Sequence, residues 1–133
     1  MTAEEREYVL HRIRQSQESM RVAEVCLTEG LTMTAVNRIY YGCFYLVSAL
    51  LLCEGLASSK HSGVRSLFDQ HWVKTGRLPS EFSRFYRKML KRRHSGDYID
   101  LASFDLDEVR TWYEEARNFE SCLNEQIGRF LGR

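Results

Sequence analysis

Apolar residues recur at the helical period along almost the whole chain, and the breaks between periodic stretches divide it into four or five helices. Tyr8, Ile13, Met20, Ala23 and Leu27 fall on one stripe of a first helix over residues 3–29, which Gly30 stops. A second helix, capped by Thr32 or Thr34 and running to about Glu54, is apolar nearly all round, as expected of a helix enclosed by its neighbours. Gly55 ends it. Ser58 or Ser59 opens a short third helix through Val64, Leu67, Phe68 and Trp72, stopped at Gly76. After Leu78-Pro79, with proline at a first helical position, residues 80–94 place Phe82, Phe85, Tyr86, Met89 and Leu90 on one stripe. Ser95-Gly96-Asp97 breaks that pattern, and a polar connection leads to Asp105, which with Glu108 predicts a capping box for a long last helix. That helix carries Val109, Trp112, Ala116, Phe119, Leu123 and Ile127. With no period-two segment, repeat or low-complexity linker, the pattern predicts an all-α fold: a four-to-five-helix up-and-down bundle forming one domain over residues 1–133.

At 133 residues the chain is long enough to bury a core without disulfides or metals. Nineteen Lys and Arg against eighteen Asp and Glu leave a formal charge of +1, so no net field drives indiscriminate nucleic-acid binding and any RNA contact is local. Fifteen of the nineteen cations are Arg, which favours planar, bidentate contact with carboxylate or phosphate. Cys26, Cys43, Cys53 and Cys122 form no CxxC pair and have no His at zinc-ligand spacing, so they are expected to be buried, reduced thiols, with no metal or cofactor site. The amino terminus, MTAEEREYVL, lacks the basic start and apolar run of a secretory signal. The longest uncharged run, Ile39 to Cys53, has 15 residues, short of the roughly 18 to 20 that span a bilayer. A cytoplasmic protein without a membrane partner is expected.

Three segments in order resemble the small bacterial and archaeal HEPN-domain proteins: Ala35-Val36-Asn37-Arg38-Ile39-Tyr40-Tyr41-Gly42-Cys43-Phe44, then Lys60-His61-Ser62-Gly63-Val64, then Arg93-His94-Ser95-Gly96-Asp97-Tyr98. The stretch from Phe68 ending in Val73-Lys74-Thr75-Gly76-Arg77-Leu78, and the helical frame, extend the match from Glu5 to Gly128. The resemblance implies a bundle that forms a symmetric homodimer, often encoded beside a minimal nucleotidyltransferase, with some members acting as metal-independent endoribonuclease toxins. Ribonuclease members carry an Arg followed, after four to six residues, by a His near the dimer cleft. Here Arg93-x-x-Gly-Asp97-Tyr98 stands in that place. The Arg-to-His spacing does occur at Arg6 and His11, Arg65 and His71, and Arg87 and His94, about as often as chance produces it in so Arg-rich a chain. Arg87 and His94 would stand about 10 Å apart along one face of a continuous helix.

Metal-free RNA cleavage needs a base for the ribose 2′-OH, an acid for the leaving oxygen and a cation for the phosphorane charge. Arg93, His94 and Asp97 are the catalytic candidates, and Arg38, Tyr41, His61, Arg92 and Tyr98 the candidate nucleotide- or RNA-binding residues. Each also has a structural reading. Lys91 to His94 is a basic last turn facing its own helix dipole, and Arg93 with Asp97 is a clamp on the loop between the last two helices. Arg38, costly on an apolar helix, is expected to reach an acidic partner or the cleft. His61 contacts a phosphate or satisfies a carbonyl. Tyr98 either packs on the bundle end or, as the resemblance implies for some members, is modified by a partner nucleotidyltransferase. Two functions follow: a toxin-type endoribonuclease dimer, or a non-catalytic module that docks a nucleotidyltransferase or a nucleotide through the same cleft.

Overall fold

The computed structural model describes residues 1–99 and 103–133, and among them every regular element is helical. Five α-helices follow in order: α1 (Ala3–Thr28), α2 (Thr32–Leu52), α3 (His61–Phe68), α4 (Ser80–Tyr98) and α5 (Leu106–Leu131). Side-chain pairs give their directions. Ser16 reaches the Gly42 carbonyl and Ser19 the Arg38 carbonyl, both at 2.7 Å, so α1 and α2 run antiparallel. Arg6 bonds the Leu131 carbonyl at 3.1 Å while Tyr113 meets Glu24 at 3.3 Å, so α5 also runs against α1. The up-and-down bundle expected from the periodicity is the fold.

α2 is its axis. Ala35, Val36, Ile39, Tyr40, Cys43, Leu46, Val47 and Leu50 are fully buried, because α2 packs against α1, α3, α4 and α5. By length and composition α2 could cross a membrane, but 61% of its most apolar window is covered by the rest of the chain, which is how the core helix of a bundle looks. Around Phe119, the rings of Phe68, Phe82, Phe85 and Tyr86 gather with centroids 5.2–6.2 Å away, joining α3, α4 and α5; edge and offset contacts of this kind add to the area they bury. Past Phe68 the third helix widens into a π turn, Asp69–Val73, closed by the Lys74 amide on the Asp69 carbonyl at 2.8 Å. It holds Trp72 in the core with the Arg77 guanidinium 3.4 Å above its ring.

Several boundaries depart from the sequence reading. The reciprocal capping box forms at Thr2 and Glu5, both bonds 3.0 Å, whereas Asp105 simply accepts from the Glu108 amide at 3.1 Å. Neither Thr32 nor Thr34 caps α2: Gly30, at φ +73°, turns the chain so sharply that Leu31 takes the cap position without a side-chain bond. Ser58 accepts from the Lys60 amide at 3.2 Å, and α3 begins only at His61. Pro79 sits one place earlier than expected, at the cap of α4. The largest departure is at Ser95-Gly96-Asp97, where α4 continues to Tyr98. Gly96 is buried inside it, and a Cβ there would lie 3.1 Å from the Phe104 ring, so this glycine serves close packing rather than a break. The polar connection predicted ahead of Asp105 lies partly at residues 100–102, outside the described residues. All four cysteines are free, but Cys53 and Cys122 are half-buried rather than buried.

Candidate functional site

One strip of α2 is left half-exposed: Asn37, Arg38, Tyr41, Phe44, Tyr45 and Ser48, spaced three or four residues apart along one face. α4 runs antiparallel along its edge. Arg93 donates from Nη2 to the Tyr41 hydroxyl at 3.1 Å and from Nε to Asp97 Oδ2 at 3.0 Å. Asn37 donates to the same Asp97 oxygen at 3.1 Å, and its own Oδ1 accepts from Arg38 Nε at 3.0 Å and Nη2 at 2.7 Å. Asn37 thus joins two guanidiniums and one carboxylate in a single network with one positive charge in excess.

The network is fenced by aromatic rings. The Arg93 guanidinium lies 5.6, 5.3 and 5.8 Å from the ring centroids of Tyr40, Tyr41 and Tyr98, and its side chain is only 15% exposed. Arg38 lies 5.1 Å from the Tyr41 ring, within cation–π range. At the start of α3, His61 stacks on Phe44 with centroids 4.5 Å apart, and its Nδ1 lies 2.6 Å from the Tyr40 hydroxyl. Burial, with the Arg93 charge adding to it, lowers the pKa of His61 and so favours the neutral ring. Burial also pushes the Tyr40 hydroxyl up to about 12, so it keeps its proton. On the α1 side of the strip lies a shallow pocket of about 210 Å³ lined by Gln15, Glu18, Ser19, Val22, Arg38 and Tyr45.

The fold therefore brings together Arg38, Tyr41, His61, Arg93, Asp97 and, at its rim, Tyr98. It separates the other two candidates. Because residues 92 to 94 are helical, their side chains point about 100° apart. Arg92 turns to α5, with its guanidinium 3.8 Å over Trp112 and Nη1 3.4 Å from Met89 Sδ, and burial lowers its pKa. His94 is exposed, its ring 5.0 Å from that of Tyr98, and among the described residues it makes no hydrogen bond. Arg87 lies 3.8 Å from Asp69, a full two turns before His94 on the same continuous helix, so that pair does not converge. Of the two places expected for Arg38, an acidic partner or the cleft, it takes the second, bonded to the Asn37 amide and set against the Tyr41 ring with no carboxylate paired to it among the described residues. The Arg93 to Asp97 clamp exists, but it is a helical i,i+4 pair tied to α2, not a brace on a loop. Tyr98 is 66% exposed and does not pack on the bundle end.

Sequence reasoning left out Asn37 and Tyr40. The signal for Asn37 was there: a polar residue on a largely apolar helix, four before Tyr41. Nothing in the sequence pairs Tyr40 with His61, twenty-one residues on.

The HEPN domain model matches residues 9–126. A UPF0332 protein of Thermotoga maritima is 41% identical over 114 residues, covering 86% of each chain. A UPF0332 protein of Pyrococcus horikoshii is 32% identical over 104 residues, 78% of this chain and 70% of that one. A protein of Methanocaldococcus jannaschii named "Putative toxin" is 31% identical over 126 residues, 95% of this chain and 93% of that one. With the all-α bundle and the α2–α4 network already in place, a match of this extent shows that the chain belongs to the HEPN-domain family.

Proposed function

We propose that this protein is a toxin-type HEPN protein whose symmetric dimer cleaves RNA without a metal ion, using the network on the open strip of α2. The observation that carries this is Arg93: a guanidinium 15% exposed, held by Asp97 and Tyr41, that faces the same Tyr40 and Tyr41 rings as the His61 imidazole does. A fixed cation next to a neutral base is what phosphoryl transfer without a metal requires, since charge builds on the phosphorane oxygens while a proton must leave the nucleophile. Tyr41, Phe44 and Tyr45 offer half-exposed rings on which bases can stack. The name of the Methanocaldococcus relative supports a toxin.

Purified protein incubated with RNA in EDTA tests it. The wild type cleaves, and Arg93→Ala is slower by about 100- to 1,000-fold, as for loss of a transition-state donor. A wild type that leaves RNA intact removes the nuclease.

Tyr98 favours a second reading. Its ring stands 66% exposed at the end of α4 beside the network, where a partner nucleotidyltransferase has access to its hydroxyl. On this reading the protein is a module that docks such an enzyme, and a nucleotide-sized mass gain absent from Tyr98→Phe identifies it.

A further inference from the structure

The histidine expected to act with Arg93 was its neighbour His94, yet His94 stands outside the network while His61, from a different helix, stands against it. His61 is held on two sides. Its ring lies on Phe44, and Nδ1 is engaged by the Tyr40 hydroxyl at 2.6 Å. Among the described residues Nε2 makes no hydrogen bond, and it is not among the buried polar atoms that lack a partner, so it is the ring nitrogen open to a ligand. The ionisable groups facing His61 are Tyr40 and Tyr41 from α2 and Arg93 from α4, the last neutralised in part by Asp97.

We propose that His61, with Tyr40 as its positioning residue, is the proton-transfer group of this site, and that it acts on the ribose 2′-OH of a phosphodiester whose phosphate Arg93 holds. This rests on the nuclease reading and names its base. For Nε2 to accept, the ring proton sits on Nδ1 and is donated to the Tyr40 oxygen, whose own proton then turns to the buried Tyr86 hydroxyl, an oxygen with no other partner among the described residues. The 2′ oxygen then attacks the adjacent phosphorus as its proton passes to Nε2. The bond from phosphorus to O5′ breaks, and the departing O5′ takes that proton back from the imidazolium. A 2′,3′-cyclic phosphate and a free 5′-hydroxyl result. Nothing is oxidised or reduced, and no water is consumed. Tyr40 aims Nε2 without touching substrate, much as a buried partner fixes the ring of other catalytic histidines.

His61→Gln, which keeps a hydrogen-bonding side chain but cannot carry the proton, is compared with His94→Ala and the wild type in cleavage and in anisotropy with labelled single-stranded RNA. Cleavage by His61→Gln falls at least about 100-fold with RNA affinity unchanged, and His94→Ala keeps its rate. Added imidazole restores part of the rate of His61→Ala. Tyr40→Phe lowers kcat and leaves KM unchanged. The wild-type pH profile needs no substitution: its acid limb rises through an apparent pKa below 6.5, the ordinary histidine value. Wild-type cleavage matched by His61→Gln, or without an acid limb, overturns the role of His61 and leaves the nuclease standing. No cleavage by any form overturns the nuclease reading, and the role of His61 with it.

Discussion

Ser16 has one hydroxyl proton and two oxygens within reach of it, the Gly42 carbonyl at 2.7 Å and Glu120 Oε2 at 3.2 Å. A carbonyl can only accept, so the one Ser16 proton is shared between the shorter bond to Gly42 and the longer one to Glu120 Oε2, and the carboxylate gets only a weak donor. Burial raises the Glu120 pKa against the opposing pull of Arg117 and Ser16; Oε1, 3.6 Å from Arg117, has no hydrogen bond. A carboxyl whose folded value is raised favours the fold most below its ordinary 4.5, and that contribution is lost as pH rises through the raised value. Glu120→Gln is therefore expected to melt as high as the wild type or higher at neutral pH, and to flatten the pH dependence of Tm. A variant that melts lower at neutral pH while tracking the wild type's pH dependence would show that the charged form is the stabilising one. At this scale the sequence marked Arg93 and Asp97 as a pair but gave no sign of Glu120, because a Glu in an amphipathic helix looks the same whether it faces water or a serine.

Between elements, small residues set the spacing. At Gly42 a Cβ would lie 2.5 Å from Met20 Sδ but 3.7 Å from the Ser16 carbonyl, and Met20 is 1% exposed, so it is the buried Met20 side chain that fills the space a Cβ would need. Gly42→Ala is expected to cost about 1–3 kcal/mol by overpacking, read as a lower midpoint in denaturant with an unchanged slope. An unchanged midpoint would mean that Met20 finds another rotamer at no cost. The periodicity located all five helices because an amphipathic stripe is a local property of the chain. It ended α4 too early because Ser-Gly-Asp has the composition of a turn, and only the Phe104 ring packed on Gly96 reveals why a glycine belongs inside a helix there. That extension has a consequence for the site, since the helical continuation puts Asp97 one turn after Arg93, where the two side chains pair at 3.0 Å.

On the scale of the molecule, the open strip of α2 and the exposed apolar residues near it bear on assembly. Val22, Val25, Leu31 and Met33 at the α1–α2 end, and Tyr98 and Ile99 at the end of α4, are each 39–66% exposed. The pairs Asn37 with Asp97 and Tyr41 with Arg93 set the antiparallel register that carries Met33 and Ile99 to the same end of the bundle. The proposed symmetric dimer is expected to sediment at twice 15.7 kDa, and Ile99→Asp combined with Met33→Asp to shift it to monomer without loss of helicity. Sedimentation of the wild type as a monomer would leave the site with one wall and count against catalysis by a dimer cleft.

The sequence by itself determined the fold class, the five helices, the central place of α2 and the family, because each is written in local periodicity or in contiguous motifs. It determined the pairing of Arg93 with Asp97, which lie one helical turn apart. What only the tertiary structure decided is which residues share a surface with that pair. Asn37, Tyr40 and His61 reach it from other helices, and His94 and Arg92, adjacent in the chain, leave it. The reason is geometric: a helix turns about 100° per residue, so neighbours in sequence diverge, while antiparallel packing brings together residues tens of positions apart.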